Sequence, residues 1–361
     1  MLPLILSVLC SCLLAIPVDD RTYQVRQISF QSSLDESQLK VEFTAFDREF
    51  SLKLTEISSL SSPMSFIEDG PEEESPHYYN ESLLNLYQDE VSESSLIVTR
   101  TENETKLDGI IAGEYKIVSH ENYHIISILA KDNESLANDY AEIEDFPKET
   151  KKSRRKRSAS STVIPEILVV VDEKLFSKLG RSVSATNTYV RNFWNAVNLR
   201  FKLVTSPRIE LNIAGIIIGK SASDTPFLKS AKVTGDSFEA NKALDLMGKY
   251  FYKTKTKFPI FDLVVTLTGL DMCSTKAQGK CNKNTAGFAY VGGACVVNRR
   301  LGKINSVAIV EDSGGYSGVI VAAHEVAHLL GAVHDGQGPV ANVGGPGARG
   351  CSWSEGQCCH E

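Results

Sequence analysis

The twelve residues HEVAHLLGAVHD, His324 to Asp335, hold three histidines and a glutamate. His324 and His328 are four positions apart, so on a helix their imidazoles share one face, with Glu325 beside them. Two imidazoles make half of a metal site. His334 lies ten positions after His324, and an unbroken helix would carry it roughly 15 Å along the axis, too far to share one ion. Gly331 removes the difficulty, because glycine takes up at little cost the left-handed conformation that ends a helix and turns the chain back. Three neutral imidazoles then leave the fourth position of a tetrahedral zinc free for water, the arrangement of a catalytic site. The chemistry that follows is attack of that water on a carbonyl polarised by the metal, with Glu325 as general base.

Such a site needs rigid elements around it. The run VIVAAHEVAHLL is apolar almost all the way round, which predicts a helix buried on most sides with its polar trio turned toward a cleft. Upstream, VIPEILVVVD, RIELNIAGIIIG and FDLVVTLTG read as buried strands, while SATNTYVRNFWNAVNLRF has helical spacing. DSFEANKALDLMGKYFYK starts with an Asp-Ser cap signal and reads as another helix. Alternation of this kind predicts an α/β domain with a mostly parallel twisted sheet. Before residue 150 the chain is acidic and serine-rich, and YQVRQISF, LKVEFTAF and KIVSHENYHIISI predict a β-rich region with one hairpin-like pair.

HEVAHLLGAVHD resembles the long zinc motif of the metzincin metallopeptidases, and the Asp335 that closes it resembles the adamalysin, or reprolysin, branch. The resemblance covers Val163 to about Gly356, with TLTGLD and GFAYVGGAC as further landmarks. It implies a secreted zinc metalloendopeptidase with a metzincin-like catalytic domain, acting on extracellular matrix or plasma proteins. By that likeness His324, His328 and His334 are the zinc ligands, and Gly287, Phe288, Ala289 and Tyr290 form the sheet edge along which a substrate lies as an added strand. Glu166 and Asp262 fall where the family has two ligands of a structural calcium ion. Many relatives silence the zymogen with a propeptide thiolate on the zinc, but no cysteine lies between Cys12 and Cys273, so latency is expected from steric cover of the cleft. A metzincin also has a methionine turn after the third histidine. GARGCSWSEG resembles the segment leading into that turn, yet the last methionine is Met272. This form is therefore expected to be weak or inactive unless extended, and the alternative reading is an extracellular binding protein.

A net charge of -7 over 361 residues gives no support for nucleic-acid binding. Met1 to Ile16 reads as a signal peptide cleaved near Ala15, and no later apolar run reaches the length of a membrane anchor. Of eight cysteines, six lie at 273, 281, 295, 351, 358 and 359, which suggests up to three disulfides in an exported chain. Sequons at Asn80, Asn103 and Asn133 predict glycosylated surface. In a secretory chain Arg154-Arg155-Lys156-Arg157 reads as a site for a furin-like convertase, with a heparin-type patch as the competing reading. The expected order is a signal peptide at 1–16, a propeptide at 17–157 and a catalytic domain at 158–361 that begins at Ser158.

Overall fold

The computed structural model describes residues 15–19, 21–33, 37–57, 65–67, 77–78, 85–102, 104–129, 139–143, 161–275, 281–345 and 347–351. Residues 1–14 of the expected signal peptide, Asn80, Asn103, Asn133, Arg154, Arg157, Ser158, Cys358 and Cys359 lie outside the described residues. The chain divides into two compact units. One comprises Met1–Ser61, Glu81–Lys131 and Asn187–Arg200, the other Ser62–Asn80, Asp132–Thr186 and Phe201–Glu361.

The first unit is built on a ten-stranded sheet whose neighbouring strands are all antiparallel where their registers are resolved. Strict alternation explains it. In Gln38–Ala45 the side chains of Leu39, Val41, Phe43 and Ala45 are buried while their neighbours point away. They face Leu54, Leu52 and Phe50 of Arg48–Glu56 in register, and Phe43 and Phe50 stack with centroids 4.8 Å apart. The segment KIVSHENYHIISI forms an antiparallel pair, Tyr115–Ser119 with His124–Ile128. Helical residues Asn187–Arg200 belong to this unit, where buried Ser95 Oγ donates to Asn192 Oδ1 at 2.7 Å and accepts from Asn195 Nδ2 at 2.8 Å.

His124 gives this unit a pH dependence. Its Nε2 accepts the Leu107 backbone N–H at 3.0 Å, which only a neutral ring can do. Burial holds its pKa below the ordinary histidine value, opposed by the nearby Asp108 charge. A depressed histidine stabilises the fold above its unfolded pKa near 6.5, and that contribution is lost as the pH falls below it. Chemical denaturation of the full chain between pH 7.5 and 5 is therefore expected to show a falling midpoint, with a flatter slope in His124→Gln. An equal slope in the variant would assign the effect to other groups.

The second unit carries an eight-stranded sheet. Its order is Tyr140–Ala141, Gly287–Tyr290, Val307–Glu311, Leu263–Thr268, Glu166–Val171, Asn212–Ile218, Ser65–Ile67 and His77–Tyr78. The strands Val307–Glu311, Leu263–Thr268, Glu166–Val171 and Asn212–Ile218 run parallel, and their apolar runs are buried on both faces. Gly287–Tyr290 is antiparallel to Val307–Glu311. The α/β class fits this unit. Taken whole, the chain is richer in sheet than the expected class and mostly antiparallel, because most pairings in the ten-stranded sheet join strands consecutive along the chain.

Helix Ala240–Thr254 packs Leu244, Met247 and Phe251 into the main core with Leu168, Val264 and Ile309. Its cap differs from the expected Asp-Ser signal. Ser237–Glu239 is drawn into parallel pairing with Asp271–Cys273, so the helix starts later, capped by the Glu239 carboxylate accepting the Lys242 N–H at 2.6 Å. Cys273 and Cys281 form a disulfide, and among the described residues Cys295 and Cys351 are free thiols. No helix among the described residues is long and apolar enough to cross a membrane.

Candidate metal site

The helix Val319–Leu330 supplies two of the three histidines. Val319, Val321, Ala322, Val326 and Leu329 are buried, in keeping with the predicted burial on most sides, and Ile320 faces outward at 54% exposed. Gly331 ends the helix with φ 111° and ψ 4°, in the left-handed region. The Ala332 N–H closes the turn on Ala327 O at 2.9 Å, and the reversed chain delivers His334 to the same place. His328 Nδ1 lies 2.9 Å from Ala332 O, so the turn also fixes that ring with Nε2 facing inward.

The three Nε2 atoms gather closely. His328 and His334 are 3.2 Å apart there, and His334 and His324 3.3 Å. A fourth donor joins them that the sequence reading missed. Asp139 is fully buried, with Oδ2 at 3.0 Å from His324 Nε2 and Oδ1 at 3.5 Å from His328 Nε2 and 3.0 Å from His334 Nε2. Nothing local marks Asp139, one carboxylate in an acidic stretch some two hundred positions from the motif.

The four donors fit a tetrahedral zinc. Ligand atoms about 2.0–2.1 Å from such an ion stand about 3.3–3.4 Å from one another, close to the separations found. Both Asp139 oxygens are buried without a well-directed hydrogen bond, although three imidazole nitrogens stand within 3.5 Å. Three ring nitrogens and a carboxylate are thus crowded within 4.8 Å of one another, a donor set that suits one cation held among them. A buried carboxylate lacking directed donors is costly, and a divalent cation there supplies the compensation.

Burial alone would push the Asp139 carboxyl up, but the three facing imidazoles outweigh it and hold the group well below the usual carboxylate range. Burial holds His324 below its ordinary value. Glu325 is wholly buried with both oxygens unpartnered, and burial, reinforced by the Asp139 charge, pushes its carboxyl well above the usual range. Its carboxylate lies against Gly287, where an added Cβ would come within 2.3 Å of Glu325 Oε1 and 2.5 Å of Val321 Cγ1.

Gly287–Tyr290 is buried throughout because Tyr140–Ala141 covers its outer side as a parallel strand. Glu166 and Asp262 do lie together, the Glu166 N–H donating to Asp262 Oδ2 at 3.0 Å and the Asp262 N–H to Glu166 O at 2.8 Å. No third acidic or histidine ligand joins them among the described residues, where Asp139, His324, His328 and His334 make the one metal-capable group. The calcium expectation thus gains no support from this geometry.

The sequence profile described as Metallo-peptidase family M12B Reprolysin-like matches residues 187–335. A Bombyx mori protein described as a disintegrin and metalloproteinase with thrombospondin motifs like is 51% identical over 56% of this chain, which spans only 29% of that relative. Venom metalloproteinase 2 of Eulophus pennicornis is 26% identical over 89% of this chain and 78% of its own length. An antarease-like venom metalloproteinase of Tityus serrulatus is 30% identical over 52% of this chain and 80% of its own length. With the histidine helix, the glycine turn and the three converging imidazoles all formed within the matched residues, the chain belongs to the M12B reprolysin-like metallopeptidases.

Proposed function

We propose that the chain is a secreted zinc metalloendopeptidase made as a zymogen. The observation that carries this is the convergence of three imidazoles, those of His328 and His334 buried and that of His324 partly so, beside the buried, unpartnered Glu325. His324, His328 and His334 hold the metal. When bound, zinc acts as a Lewis acid toward water and toward the scissile carbonyl. Glu325 takes the proton from the attacking water and passes it to the leaving amine. Gly287 to Tyr290 hold the substrate main chain extended as an added strand, so the enzyme cuts extended segments. Extracellular matrix and plasma proteins, the class that the adamalysin resemblance of the zinc motif implies, are the substrates proposed. Purified chain cut after Arg157 is expected to contain about one zinc per molecule, and whatever protein cleavage it shows, weak or not, is expected to be lost when chelated. A folded sample without metal would end this reading.

Maturation is by a furin-like convertase at Arg154 to Arg157, removing residues 17–157 as propeptide. In secreting cells, Arg154→Ala with Arg157→Ala should leave a single larger band in the medium, because the convertase needs basic side chains for its acidic pockets. Glycosidase should shift the uncut form and the released propeptide but not the mature chain, given that Asn80, Asn103 and Asn133 all precede the cut. Unchanged processing would move the boundary elsewhere.

A further inference from the structure

We infer that Asp139 is the latency ligand of this zymogen, its carboxylate taking the fourth position on the metal while the flanking strand fills the substrate edge. The inference rests on the zinc site and the cut after Arg157 proposed above.

Asp139 lies upstream of that cut, yet its side chain is fully buried among the three imidazoles. Its neighbours anchor it from both sides. The Ala289 N–H donates to Asp139 O at 3.2 Å and the Val291 N–H to Ala141 O at 3.2 Å, pairing Tyr140–Ala141 with the strand assigned to substrate. The Tyr140 ring stands 5.2 Å from both the His328 and His334 rings, and its hydroxyl donates to Gln337 Oε1 at 2.7 Å. Ala141 and Ile143 pack on the main core.

This geometry also explains why the segment is not itself cut. The Asp139 carbonyl is committed to the Ala289 N–H, so the group offered to the imidazoles is the carboxylate and not a peptide carbonyl. A carboxylate oxygen is a good zinc ligand, and here it takes the place that reacting water needs. While the chain is continuous, Asp139 competes as an intramolecular ligand at high effective concentration; cleavage at Arg157 makes it a separate, dissociable one. A propeptide without cysteine thus silences a metal site with an oxygen ligand where a thiolate would otherwise serve.

The test uses the full chain kept uncut by Arg154→Ala and Arg157→Ala and loaded with cobalt(II) in place of zinc. One cobalt per chain is expected. Asp139→Ala and the near-isosteric Asp139→Asn should keep that stoichiometry but alter the visible cobalt spectrum, and should raise affinity for a small hydroxamate at least 100-fold. Asp139→Cys should bring a thiolate-to-cobalt charge-transfer band, which a residue merely packed nearby cannot produce. Cobalt bound with the same spectrum and hydroxamate affinity in Asp139→Asn, and no such band in Asp139→Cys, overturns the role of Asp139 alone. A folded chain that takes up no cobalt in any variant overturns the metal site and this inference together.

Discussion

Glu325→Gln in the chain cut after Arg157 is expected to lower kcat/KM for a quenched fluorescent peptide by about 10²- to 10⁴-fold, the usual contribution of a positioned general base. Glutamine keeps the shape of the side chain, so the packing of a residue with no exposed surface is preserved. The metal should stay. Its three imidazoles come from other positions, and elemental analysis should give the same zinc content as the parent. Thermal stability should change little, since the glutamate oxygens have no hydrogen-bond partners to lose. A variant that keeps more than a tenth of the parent rate would remove Glu325 from the reaction.

The second large effect is expected from a residue that bears no chemistry. Gly287→Ala places a methyl where it would meet Glu325 Oε1 at 2.3 Å, Val321 Cγ1 at 2.5 Å and Glu325 Cγ at 2.7 Å. Val321 is held in the helix and buried, so the carboxylate must give way. Displacing a reacting group by about 1 Å costs on the order of 10²-fold in rate, and that is the loss expected, with zinc content unchanged. The double variant supplies the discriminating measurement. If Gly287 acts only by holding Glu325, then Gly287→Ala added to Glu325→Gln should lower the rate little further, because both changes remove the same interaction. Losses that multiply in the double variant would assign the glycine a separate part in binding the peptide.

Everything that depends on short spacing was legible in the sequence. The four-residue step from His324 to His328, the helix around it and the turn at Gly331 follow from the geometry of one helix and one left-handed residue, with no need of the rest of the chain. Period-two alternation likewise set out the strand Gln38–Ala45 and the pair at Tyr115–Ser119 and His124–Ile128. Pairing across the sheet was not legible in this way. Ser237–Glu239 read as a helix start but became a strand because Asp271–Cys273 offered partners, a long-range gain that local propensity does not contain. The carboxylate beside the histidines was wholly a decision of the tertiary structure. Asp139 looks like its acidic neighbours until the sheet sets Tyr140 opposite Ala289, and only that register buries the preceding side chain where three imidazoles meet. A sequence fixes what a residue can ligate through its chemistry, but which ligands meet depends on strand order and register, set by contacts between residues far apart along the chain.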